Sequence, residues 1–203
     1  MVLINIGVHK LESYKNNQGI FENSYFVHRP YLNYVIFSPN STEIFYDYFQ
    51  SKGGVCKQIF THSSQINHGP AKIWNKFGAS VLLTNPTKQP ASADYKCEYL
   101  NVDFSDKDII YPWDDPKELH WFILTQRDKR FLITDEHLIL NNGDWLPNPK
   151  LHYNETKIRY IKEILNHDFD YLLPRLHEGE FYLQKTPKDY VENQINLFTG
   201  RSI

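Results

Sequence analysis

Cysteine is scarce in this chain. Cys56 and Cys97 are its two thiols, far apart and in no paired motif, which is too few for a disulfide scaffold. They are expected to be reduced and partly buried. An excess of one charge is also missing: 22 basic against 24 acidic residues leave a net charge of −2, with no long run of either sign. A protein that tracks phosphates needs a concentrated Lys/Arg surface, so a nucleic-acid partner is not expected. No apolar stretch approaches membrane-spanning length, and MVLINIGVHK has neither the basic lead nor the apolar length of a signal peptide. The expectation is a soluble, cytoplasmic protein.

What is present points to a packed core. Hydrophobic residues make up 41% of the sequence and aromatics 15%, enough to exclude global disorder. The 203 residues fit one domain spanning 1–203. Residues 20–28 and 32–38 are aromatic and β-branched around Arg29-Pro30-Tyr31, and read as a hairpin. A short helix follows from Ser41 or Thr42 to about Gln50, then a strand over 55–60. Residues 70–77 read as a helix, with Pro70 in its first turn and Gly78 just past its end. Residues 80–83 return as a strand, and a strand–helix–strand crossover of this length implies parallel pairing.

Later strands are expected at 97–102, 108–111, 119–125 and 130–134, with Gln126-Arg127-Asp128-Lys129 as a polar turn. The clearest helix covers 154–166, capped by Asn154, with Ile158, Ile161, Ile164 and Leu165 on one face. A buried strand at 169–173 and a last helix at 187–198 complete the order. Two mixed sheets with helices outside each is the simplest packing.

Four stretches of this sequence resemble, in order, the metallo-β-lactamase superfamily, and in particular its small single-domain members. NSYFVHRPYLNYVIFSP looks like the opening hairpin, with Asn-Xaa-Tyr before an apolar strand. QIFTHSSQINHGPAKIWNKFGASVLLTNP resembles the strand, metal loop and helix. HWFILTQRDKRFLITDEHLI resembles the strand pair ending in Thr-Gly-Asp, and HDFDYLLPRLHEGEFY the late strand ending in Pro-Gly-His-Gly. The resemblance implies an α/β fold, a four-layer αβ/βα sandwich of two mixed β-sheets flanked by helices.

It also implies metal-dependent hydrolysis, which needs imidazole and carboxylate ligands and an open position for a bound water. Carried over by position, His62 matches the first histidine of His-Xaa-His-Xaa-Asp-His. Ser64, Ile66 and Asn67 stand at the other ligand positions, and His68 is one residue late. The Gly-His-Thr element has no counterpart: Asp115-Pro116-Lys117-Glu118 fills that region, with His120 further on. Asp135 or Glu136 takes the bridging aspartate's place, Glu136 being favoured because His137-Leu138 then also aligns. Pro174-Arg175-Leu176-His177 puts leucine at the last ligand position and histidine one step late.

A complete structural zinc site contributes about 10–16 kcal/mol, but a serine hydroxyl or a leucine cannot replace imidazole. The remaining candidates are His62, His68, Asp135, Glu136 and His177, enough for one rebuilt ion (zinc, iron or manganese) but not for two. On a strand, a one-residue slip sends a side chain to the opposite face; in a loop it is tolerated. No cofactor is expected unless that single site is rebuilt.

Other motifs have ordinary readings. Ser63 or Ser64 beside His62 or His68 lacks the context of a nucleophile elbow. Tyr111-Pro112-Trp113-Asp114-Asp115 reads as a rim loop, Asn142-Gly143-Asp144-Trp145-Leu146-Pro147 as a turn, and Glu178 with Glu180 as surface charge. Three readings of function follow. The first is a cleft without two-metal catalysis that binds a small molecule or a protein. The second is a mononuclear hydrolase of ester or thioester bonds, with His62, His68 and His177 as ligands and Glu136 as fourth ligand or general base. The third is a structural homo-oligomer.

Overall fold

The computed structural model describes residues 2–5, 7–15, 19–39, 42–59, 69–83, 97–99, 103–105, 108–111, 121–134, 138–141, 144–148, 155–179, 183 and 188–199. It opens with a strand pair, β1 (Val2–Asn5) and β2 (Val8–Lys15). The hairpin expected from the aromatic runs follows as β3 (Phe21–Val27) and β4 (Tyr34–Ile36). A 3-10 turn at Thr42–Phe45 leads into α1 (Tyr46–Ser51). The parallel crossover is β5 (Lys57–Ile59), α2 (Gly69–Phe77) and β6 (Ser80–Leu83). Gly78 ends α2 in the left-handed region at φ 68°, its N–H closing on Trp74 O at 2.7 Å. That is the cap glycine favours because it has no Cβ.

Further along lie β7 (Cys97–Tyr99), β8 (Asp103–Ser105), β9 (Asp108–Tyr111), β10 (Trp121–Gln126) and β11 (Lys129–Thr134). Gln126 pairs with Lys129 across the turn, where Arg127 takes φ 57°. In place of the turn expected over 142–147, residues 144–147 form a strand: β12 (Leu138–Asn141) and β13 (Asp144–Pro147) pair as a hairpin. Its tryptophan, Trp145, is buried. Then come α3 (Glu155–Glu163) with a 3-10 extension to Asn166, β14 (Tyr171–Pro174), β15 (Leu176–Glu178) and α4 (Lys188–Thr199).

Among the described residues, one sheet runs β13-β12-β15-β3-β4-β5-β6-β7, with β2 on β3 and β1 on β2. The other runs β14-β11-β10-β9-β8. Both mix parallel and antiparallel pairs. Alternation along the strands feeds three apolar layers. Tyr25, Val27, Tyr34, Ile36 and Ile59 meet Leu124, Phe131, Ile133 and Leu173 between the sheets. Phe26, Val35 and Ala79 turn the other way, onto Phe45, Phe49 and Ile73 of the first helices. Ile123, Leu132 and Leu172 face Ile164, Val191 and Ile195 of the last helices. The result is the helix–sheet–sheet–helix sandwich expected from the sequence. No helix among the described residues is long and apolar enough to cross a membrane.

Candidate functional site

One edge of β3 is divided between two strands. β2 covers the other edge along its whole length, from Val8 opposite Val27 to Lys15 opposite Phe21. On the free side, β4 pairs with Tyr25–Val27 and then leaves, while β15 pairs with Phe21 and Glu22. Arg175 is the residue at the changeover. Its N–H donates to Thr134 O at 3.1 Å, and its carbonyl accepts from Asn23 N at 2.7 Å. The chain therefore crosses from one sheet to the other here, where β4, β5, β11 and β14 all end.

Asn23-Ser24-Tyr25 holds this crossing. Tyr25 Oη and Asn23 Nδ2 both donate to Pro174 O, the asparagine at 2.9 Å. The same Nδ2 lies 3.0 Å from Nδ1 of His177. Pro174 O can only accept, so the amide nitrogen must face it. That nitrogen has a second hydrogen and no lone pair to offer, so His177 Nδ1 must accept. The neutral ring then carries its proton on Nε2. Burial, helped by the charge of Lys10, pushes the imidazole down to about 4, so it is neutral near pH 7.

The one-residue slip at this segment has a definite outcome, because His177 lies on a strand. Leu176 pairs with Glu22 and joins Ile20 and Ile139 on one face of the sheet. His177 pairs with Phe21, stacks on its ring at 4.9 Å, and so lies on the face of Asn23 and Tyr25, between the sheets. Leucine does not plug the cleft; a 3% exposed histidine sits at its inner face.

Arg175 is 7% exposed. Its guanidinium lies 5.7 Å from the ring centre of Phe37, within cation–π range. Its Nη2 is 3.6 Å from Glu22 Oε2, an ion pair longer than a hydrogen bond. Phe37 takes φ 53°, a costly conformation for an aromatic residue, and its N–H bonds Ile59 O at 3.1 Å, at the last residue of β5. Next to it, Ser38 donates to Gln58 Oε1 at 3.1 Å, while Gln58 Nε2 donates to Pro70 O at 3.1 Å and Ala79 O at 2.8 Å. This fully buried amide ties the end of β4 to both ends of α2.

Of the candidates from sequence, His177 is the one the structure describes. His62 and His68, with Ser63 and Ser64, fall in 60–68, and Asp135 and Glu136 in 135–137; both stretches lie outside the described residues, as do His120 and Glu180. Among the described residues no cluster of three or more His, Cys, Asp or Glu is present. Sequence reasoning gave no role to Arg175 or to the Asn23 amide. The signal was there: an arginine at the glycine of Pro-Gly-His-Gly, and the Asn-Xaa-Tyr pattern itself. Lys57 Nζ also contacts Ser80 Oγ at 2.8 Å. That pair lies at the opposite ends of β5 and β6, and Ser80 is too buried to meet a substrate.

Solved structures share this fold. A metallo-β-lactamase from Hirschia baltica is 13% identical with a TM-score of 0.61, over 97% of this chain and 95% of that one. The DIM-1 metallo-β-lactamase is 12% identical with a TM-score of 0.63, over 98% and 96%. An archaeal metallo-β-lactamase superfamily protein from Sulfolobus tokodaii is 13% identical with a TM-score of 0.57, over 95% and 86%. No family model and no curated protein matches the chain. The chain has the metallo-β-lactamase fold.

That fold implies a metal at these strand ends, and the described residues can be tested against one. His177 does not fit as placed. A ligating imidazole presents a lone pair and donates its other N–H to a supporting group. Here the Nδ1 lone pair is taken by Asn23, and Nε2 carries hydrogen. The guanidinium adds to the mismatch. A buried guanidinium at the same crossing is a like charge that disfavours a cation nearby, and Glu22 offsets a part of it.

Proposed function

We propose that this chain uses the metallo-β-lactamase fold as a binding cleft for a small molecule or a protein, and lacks two-metal hydrolysis. One observation carries the reading: the amide of Asn23, oriented by Pro174 O, occupies the Nδ1 lone pair of His177. Support comes from Arg175, a permanent cation among the strand ends. The substitutions Ser64, Ile66 and Asn67 in the first motif remove further donors, since hydroxyl, alkane and carboxamide are poor zinc ligands. Fold alone assigns no chemistry; these side chains do.

Metal analysis of protein purified without chelator tests the reading, together with an ester-hydrolysis assay on the same sample. The expected result is well under one ion per chain and no chelator-sensitive turnover. Two tightly held ions with turnover abolished by chelation contradict it. One ion per chain held by His62, His68 and His177, with Glu136 as fourth ligand or general base, would move the assignment to a mononuclear hydrolase.

A further inference from the structure

His9 lies on the outer face of the first sheet, against α1. It pairs with Phe26, and residues directly opposite in an antiparallel pair share a face; Phe26 turns toward the first helices. The imidazole meets the Tyr48 ring edge-on, 5.6 Å between centres, and lies 6.3 Å from the Phe26 ring. Cations stand around this ring group. Lys52, at the C-cap of α1, has its Nζ 5.8 Å from the centre of the Tyr48 ring. His28 stacks on Phe26 at 6.4 Å. Its place is set by Asn33, whose Nδ2 donates to Lys52 O and Gly54 O, both at 2.8 Å, so that Oδ1 accepts from His28 Nδ1 at 3.0 Å. The elements packed here bring no acid to balance them. β1 carries no titratable side chain. On β2 and β3, Lys10 pairs with Tyr25 and so turns to the other face, while Glu12 and Glu22 stand further along, at the register of Ser24 and Tyr14. On the helix side, Asp47 of α1 is exposed, and Glu43 before it pairs with Lys72 of α2. Among the described residues, the charges that act on His9 are Lys52 and His28, both of one sign.

We propose that His9 is an acid-sensitive contact through which α1 loosens from the sheet when the imidazole takes a proton. Phe49, fully buried, anchors the helix, but its outer side is fastened by ring contacts. Tyr48 Oη is shut off from water and has no hydrogen-bond partner among the described residues, so no polar bond there offsets a charge placed beside it. A charged imidazole gains something from ring faces. Burial, with the like charges of Lys52 and His28, outweighs that gain and holds the titration of His9 below the usual 6.5. With α1 docked, the ring therefore binds a proton less readily than with α1 open. The contribution of this contact is intact above about 6.5 and is lost as the pH falls below it. α1 in turn braces the start of α2, where Tyr46 Oη donates to Lys72 O at 3.2 Å.

The test is amide hydrogen exchange of the full chain at roughly pH 7.5 and 5, corrected for the intrinsic pH dependence of exchange, with α4 as the internal reference. On acidification the protection of α1 is expected to fall several-fold more than that of α4. His9→Gln should remove this excess fall. His9→Phe, which keeps a ring against Tyr48 and carries no proton, should remove it too, and decides alone should the glutamine variant fail to fold. His177→Asn should leave the excess fall in place, since that imidazole lies between the sheets. An α1 whose protection falls no more than that of α4 overturns the proposal. So does an excess fall that survives in the His9 variants, or one that vanishes in His177→Asn.

Discussion

Asn23 and His177 face each other across the β3–β15 pair, with the asparagine Nδ2 3.0 Å from the histidine Nδ1. The bond has one possible direction, because the same nitrogen also donates to Pro174 O at 2.9 Å. A family-like Asn-Xaa-Tyr pattern in the opening hairpin thus acts 151 residues away, on the segment where a last metal ligand is expected.

Replacing Asn23 with alanine leaves a buried imidazole nitrogen without its donor and Pro174 O with Tyr25 Oη alone of the two. The expected loss is about 1–3 kcal/mol in urea unfolding, the range for stranding a buried polar group. Asn23→Asp should cost at least as much, and should raise the His177 titration by placing a carboxylate beside it. An unchanged urea midpoint in both variants would remove this clamp from the account.

Acidification should weaken the fold through His177. An unfolded imidazole takes its proton near pH 6.5 and the folded one only near 4. Between those values the unfolded chain binds more protons, so stability is intact above about 6.5 and is lost as the pH falls toward 4. Allowing for solvent screening, the contribution is roughly 1–2 kcal/mol. Comparing urea midpoints at pH 7 and 4.5 for the parent chain and His177→Asn checks it; the variant should lose less.

At the opposite end of the sandwich, Arg29 joins the sheets. It donates from Nη2 to Thr125 O at 2.6 Å, from Nε to Gln126 Oε1 at 3.1 Å and from Nη1 to Tyr34 Oη at 3.2 Å. Arg29→Met should cost about 2–4 kcal/mol, since charged hydrogen bonds contribute more than neutral ones and their acceptors are left behind. Gly7→Ala should be damaging by itself. At φ 76° an added Cβ would lie 2.4 Å from Gln126 Nε2 and 2.7 Å from His28 O. Thermal unfolding of both variants tests the clamp without touching the cleft.

Gln58→Leu keeps the volume and removes three hydrogen bonds that join β4, β5 and both ends of α2. The expected cost is about 2–4 kcal/mol. Because 60–68 connects β5 to α2, faster amide exchange at the start of α2 should accompany it. A loss of stability without that local change would confine Gln58 to packing.

Much of this fold was legible because particular residues announce element ends. Pro70 and Gly78 bracket α2, and Ile158, Ile161, Ile164 and Leu165 mark α3 and its extension. The first strand pair was harder. β2 carries a register shift between Lys10 and Glu12, and a bulge breaks the alternation that identifies a strand. β12 and β13 are four residues each, and the turn-forming Asn142-Gly143 masks them. β15, at three residues, is too short to show which face Leu176 or His177 takes; pairing with Glu22 and Phe21 decides that. No local pattern reveals that Asn23 fixes the tautomer of His177, since that contact spans most of the chain. The first metal motif could be compared with the family by position, but its stretch lies outside the described residues.

The most direct measurement is a long-range 1H–15N spectrum of the His177 ring at pH 7, taken before and after one equivalent of zinc. The expected result is a neutral ring with hydrogen on Nε2 and Nδ1 accepting a hydrogen bond, unchanged by the metal. A ring with hydrogen on Nδ1, or one whose nitrogen signals move to metal-bound positions when zinc is added, would contradict the central claim.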